Sequence, residues 1–180
     1  MDDLTQQFFR EGVRYYVKTL RVFDRYEKMI QEIAKSALSK KLSAFSNAMG
    51  AGSLGPITSY PPEREELSSG YAGTGVYTAV PGCGRCYVMA YVYDDNKMTA
   101  VVSFYLDSAK QTHRIMEATN AMPGREKMLI DNSPEWEVYA EKPLSEVNTE
   151  ALAIAMENLL EVWISFWGKV GGIQKLFSKK

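Results

Sequence analysis

Cys83-Gly84-Arg85-Cys86 is the pattern with the most specific chemistry in this 180-residue chain. Two thiolates two residues apart can hold one side of a tetrahedral zinc ion. The motif follows Pro81-Gly82, which places it in a turn between strands. A structural zinc takes four ligands, and besides its two cysteines the chain has a single histidine, His113. Zinc at Cys83 and Cys86 would therefore draw on a carboxylate or on the same motif of a second subunit. Thiol–disulfide exchange fits less well: a redox motif opens a helix that lowers the thiol pKa, and here a strand follows. Two turn thiols without chemistry are the plainer reading.

Gly50-Ala51-Gly52-Ser53-Leu54-Gly55 matches the dinucleotide-binding glycine pattern letter by letter. That pattern works where a strand ends and a helix begins, because the helix N-terminus supplies the amides that hold a pyrophosphate. Here it follows a helical segment and runs into Pro56. The cluster from Gly70 to Gly75 leads into a strand and reads as a flexible turn. His113 lies on a short polar segment, and no Gly-x-Ser-x-Gly elbow accompanies it.

Acid-x-Lys occurs at Asp95-Asn96-Lys97. With a helix before it, antiparallel strands around it and a closing helix, the chain resembles the restriction-endonuclease-like core. The resemblance implies a divalent ion held by an acidic residue and such a triplet on adjacent strands. Carried onto this sequence it names Asp94, Asp95, Lys97 and Asp107, with Glu135 and Glu137 as further carboxylates, for a metal-dependent phosphodiester hydrolase. The triplet departs from that pattern by falling in a hairpin turn.

Composition narrows the field. A hydrophobic fraction of 46% and a charged fraction of 24% are those of a globular domain. The 21 basic and 22 acidic side chains sum to -1, so no global field draws in nucleic acid or an anionic membrane. Met1-Asp2-Asp3-Leu4 lacks the basic and apolar regions of a secretory signal. Two cysteines make no disulfide framework. Both point to the cytoplasm.

The elements that must position these residues follow from periodicity, and one α+β domain over 1–180 accounts for them. Residues 1–47 form a helical segment, with Phe9, Val13, Tyr16, Leu20 and Phe23 leading to Ile30, Ile33, Leu38, Leu42 and Phe45 at three- and four-residue steps. Gly12 and a change of phase near Glu27 favour a break. An unbroken helix of forty residues would be ~60 Å long, beyond a compact domain of this size. It must bend back onto its own sheet or project and meet a second copy. Residues 48–70 are rich in Gly, Pro and Ser and read as a long loop. Residues 71–143 hold an antiparallel sheet of four to six strands with an inserted helix. Its strands are expected at Val76–Val80, Cys86–Tyr93, Met98–Leu106, Lys127–Ile130 and Glu135–Ala140, with the helix from Asp107 or Ser108 to about Ala121 and a turn at Asp131–Pro134. Residues 144–180 form a C-terminal helix from Ser145 or Thr149 and a basic tail. The first and last helices are expected to pack together or on one sheet face.

Aromatic residues make up 12% of the chain. Tyr87, Tyr91 and Tyr93 share one face of their strand; they lie under a helix or form a binding surface. The expectation is a non-catalytic protein-binding module, an adaptor or inhibitor, working through Tyr60, Arg64, Tyr87, Tyr91 and Tyr93 on sheet and loop, and through its helices, as a homo-oligomer. Its rivals are the hydrolase above and a small-molecule sensor, which would enclose a pocket lined by tyrosine and tryptophan.

Overall fold

The computed structural model describes residues 3–61, 71–93, 97–122, 130–133 and 136–178. The first helix, α1 (Asp3–Met49), is 47 residues long and unbroken, or ~70 Å at 1.5 Å per residue. It runs through both Gly12 and Glu27, so the expected break does not occur. A glycine in an exposed helix interior costs only about 1 kcal/mol relative to alanine, and a Cβ at Gly12 would meet nothing within 4 Å. One-turn pairs reinforce the helix along its length. Lys28 reaches Asp24 at 2.9 Å and Gln31 reaches Glu27 at 2.8 Å.

Burial divides α1 in two. Ile30, Ala34, Ala37, Leu38, Phe45 and Met49 are buried in the core, whereas every side chain described between Gln6 and Arg25 is exposed. The N-terminal half is an arm that projects from the domain. Gly50, at φ 59°, turns the chain out of the helix, so the glycine pattern at 50–55 sits at a helix C-terminus, the wrong end for an anion.

Six strands follow, all antiparallel: β1 (Thr58–Tyr60), β2 (Tyr71–Val80), β3 (Gly84–Tyr93), β4 (Met98–Leu106), β5 (Ile130–Ser133) and β6 (Glu137–Pro143), in the order β1-β2-β3-β4-β6-β5. Met98–Leu106 has the expected bounds. The expected turns at 70–75 and 131–134 differ: Tyr71–Gly75 and Asp131–Ser133 are strand. Glycines 73 and 75 belong in β2 because β3 passes too close for a side chain. A Cβ at Gly75 would lie 2.1 Å from the Val88 carbonyl oxygen, and one at Gly73 2.6 Å from the Tyr91 ring.

Alternation sorts the sheet into two faces. Val76, Val88, Ala90, Ala100, Val102, Phe104, Val138 and Ala140 join α1 and the later helices in one hydrophobic cluster. Those helices are α2 (Ala109–Asn120), α3 (Thr149–Val170) and α4 (Gly172–Phe177). Ser108 precedes α2 in extended conformation, and Asn148 caps α3 by accepting from the Ala151 amide at 2.8 Å. α4 replaces the expected loose tail.

Helices α1 and α3 run side by side in the same direction, as expected of the first and last long helices. Lys40 meets Glu157 at 2.7 Å, Lys41 meets Glu161, and Met49 adjoins Gly172. Beneath them Trp163 and Trp167 pack against Phe104 at 4.7 and 5.6 Å, and the Trp163 indole donates to the Val102 carbonyl at 2.9 Å. Among the described residues no helix is long and apolar enough to cross a membrane.

Candidate functional site: the tyrosine face of the sheet

The second face of the sheet carries no described helix, and tyrosine dominates it. The register places Tyr60, Tyr77, Tyr87, Tyr91, Tyr93, Tyr105 and Tyr139 on it. Met89 and Val101, buried at its centre, stand outside the hydrophobic cluster on the opposite side. The sheet is thus a partition between a helix-covered core and an aromatic layer.

Rows across the strands show how the layer is built. One row reads Arg85, Tyr105, Glu137; the next reads Tyr77, Tyr87, Ser103, Tyr139, Asp131. The rings interlock at the β1 end. Tyr60 meets Tyr87 edge-on at 5.5 Å, and Tyr77 tilts against Tyr87 at 5.4 Å, the geometry that aromatic quadrupoles favour. Arg85 sits 5.5 Å from the centre of the Tyr77 ring and hydrogen-bonds Tyr87. Gly73 is covered by the Tyr91 ring and the Met89 methyl. At opposite ends of the central strands, Tyr105 on β4 is 54% exposed and Tyr93 on β3 38%.

Charge grades across the face. Arg85 marks the β3 side, while Asp131, Glu137 and Glu141 stand on β5 and β6. Burial raises the Glu137 carboxyl above its usual range, with a Ser103 hydrogen bond opposing the shift. Tyr139 is raised by burial and then by Asp131, Glu141 and Glu137. Aromatic sheets that stack nucleic-acid bases rely on basic surroundings to hold phosphates; three carboxylates here oppose that use.

Of the residues singled out from sequence, Tyr60, Tyr87, Tyr91 and Tyr93 come together on this face; Arg64 lies outside the described residues. Tyr77, Tyr105, Tyr139 and Arg85 complete the layer and were not singled out. Period-two alternation exposes Tyr105 opposite Ala100, Val102 and Phe104, but only the strand register reveals that all these rings share one side.

The other candidates lie elsewhere. Asp94 and Asp95 are outside the described residues. Lys97 precedes β4 and Asp107 follows it, about 30 Å apart at ~3.3 Å per residue, so the structure does not bring them together. Glu135 is also outside the described residues. Cys83 and Cys86 are buried and unbridged. Burial raises both thiols far above their usual range, with Asp107 adding to the effect at Cys83 and Cys83 at Cys86. Zinc needs thiolates, and among the described residues no group of three or more His, Cys, Asp and Glu side chains could hold a metal. His113 is exposed on α2 and lies 3.1 Å from Glu117.

A groove of about 280 Å³ opens between α1 and α3, lined by Met29, Ile33, Ala37 and Ala153 and rimmed by Glu32, Lys40 and Glu157. It carries neither tyrosine nor tryptophan.

Comparisons with protein-family models, with curated proteins and with solved structures gave no match.

Proposed function

We propose that the protein is a non-catalytic protein-binding module, an adaptor or inhibitor, whose partner docks on the tyrosine face of the sheet. The observation that carries this reading is the segregation of seven tyrosines onto the sheet face that no described helix covers. Tyrosine joins a large apolar ring to a hydroxyl that keeps hydrogen bonding, and only two side-chain torsions are frozen on contact.

Size favours the reading too. The six strands are of unequal length, from three residues in β1 to ten in β2 and β3. At ~3.3 Å by ~4.8 Å per residue the sheet presents roughly 700 Å², close to the ~800 Å² that each partner contributes to a standard interface. The graded charge, Arg85 at one side and carboxylates at the other, would fix the partner's orientation. The distance between Lys97 and Asp107 favours binding over the hydrolase, and the packing of Trp163 and Trp167 against Phe104 favours it over an aromatic-lined sensor pocket.

The test is a double variant, Tyr93→Ser with Tyr105→Ser, compared with wild type in quantitative affinity purification from cells that express the protein. Both side chains are partly exposed, so melting should change by no more than about 2 °C. A protein retained by wild type should fall by about tenfold or more in the variant. Equal retention by both would remove the tyrosine face as the docking surface.

A further inference from the structure

The projecting arm of α1 continues the core face of that helix into solvent. Phe9, Val13, Leu20 and Phe23 precede Ile30, Ala34 and Ala37 on one helical stripe. From Ile30 onward the stripe is buried by sheet and α3; before it, Phe9 is 69% exposed and Leu20 49%. Val17 widens the stripe along one edge.

We infer that this arm pairs with the arm of a second copy, antiparallel, about a two-fold axis near Val17. Three observations converge on that occupant and direction. The first is steric. A parallel partner would run, beyond residue 29, into the sheet and α3 that already occupy the stripe. An antiparallel partner puts the two domains at opposite ends. The second is length. The described side chains of the arm are exposed from Gln6 to Arg25, and Tyr26 is the first to pack on the core. Pairing about Val17 therefore sets the first turn of one copy opposite Met29 of the other, at the core end of the arm. There the groove between α1 and α3 opens.

The third observation is charge. Arg10 and Asp24 lie on the edge of the stripe that Val17 occupies, two heptads apart and of opposite sign. Pairing about Val17 brings Arg10 of each copy to Asp24 of the other, twice over, whereas a parallel pair would set each against threonine. An anionic membrane would attract the arm's arginines and lysines, yet Asp24 borders the apolar stripe and Glu27 lies within it, seven residues after Leu20, where bilayer hydrocarbon disfavours them. Five stripe side chains at roughly 100 Å² each bury ~1,000 Å² across both copies, the size at which a specific interface begins. The inference does not depend on what the tyrosine face binds.

Light scattering on the full-length protein at micromolar concentration, without lipid, reads the outcome. The expected mass is twice the 20.3 kDa chain. Leu20→Glu should give a monomer whose domain melts as wild type does, since Leu20 is exposed and touches no core. Direction is read separately. Arg10→Asp and Asp24→Arg should each raise the dissociation constant by about tenfold, and the double exchange should restore it to within about threefold. Val17→Cys should form a disulfide dimer on oxidation, undisturbed by the buried native thiols. A monomeric wild type, a dimer that survives Leu20→Glu, or no restoration in the double exchange would overturn the proposal. So would a wild type that is monomeric in solution yet sediments with phosphatidylserine vesicles.

Discussion

At the scale of single residues, Gly75 shows how little a local pattern says about its own role. Its neighbourhood, Gly-Tyr-Ala-Gly-Thr-Gly, has the composition of a turn, and sequence reasoning read it so. What holds it in β2 is a contact from another strand, the Val88 carbonyl, where a Cβ would arrive at 2.1 Å. Gly75→Ala should therefore cost at least about 2 kcal/mol, read as a lower urea midpoint; an unchanged midpoint would mean that β2 and β3 separate easily. Glu137 gives a pH-dependent case. Its folded pKa is raised above the ordinary 4.5, chiefly by burial. The folded state therefore holds that proton to higher pH than the unfolded one, and stability falls as pH rises from about 4.5 through the raised value. Glu137→Gln removes the penalty. Its urea midpoint should exceed that of wild type at neutral pH and match it below about pH 4; an equal difference at both pH values would assign the effect to something other than ionisation.

At the scale of elements, the sequence was legible wherever one face of an element is buried. The alternation of Tyr87, Tyr91 and Tyr93 with Val88 and Ala90 marked β3, and Met98–Leu106 was read with its observed bounds. Asn148 and Glu150 open α3 within the expected range, and Lys169 closes it against the helix dipole. Breaks were read less well. Gly12 lies in the exposed arm, where a missing side chain costs a helix little. The glycines at 171 and 172 turn the chain into α4 because Met49 approaches too closely for a Cβ at 172. Helix α3 is held to the sheet at Trp163, which is fully buried and donates to Val102. Trp163→Phe removes that donor and part of the ring, leaving the Val102 carbonyl short of a partner, and should destabilise by about 1–3 kcal/mol. Thermal unfolding followed by near-ultraviolet circular dichroism would show it; an unchanged midpoint would mean the indole contributes only volume.

At the scale of the whole molecule, the fold is a helix-covered core behind a sheet whose other side is a tyrosine layer, with a helical arm extending beyond both. The fold class could be read from periodicity. The strand order could not, because β1-β2-β3-β4-β6-β5 places the last strand inside its predecessor, and no local pattern encodes that exchange. The candidate site was legible in part for the same reason. Tyr87, Tyr91 and Tyr93 follow from alternation within one strand, but Tyr77, Tyr105 and Tyr139 join them only through register. The central claim, that this layer binds protein, is tested most directly by photocross-linking from its most exposed described ring, Tyr105. A benzophenone side chain at position 105, activated in cells that express the protein, should yield one dominant adduct of defined mass. The same probe at Ile154, an exposed position on α3, should not yield it. Equal or absent adducts at the two positions would contradict the assignment of the tyrosine face as the binding surface.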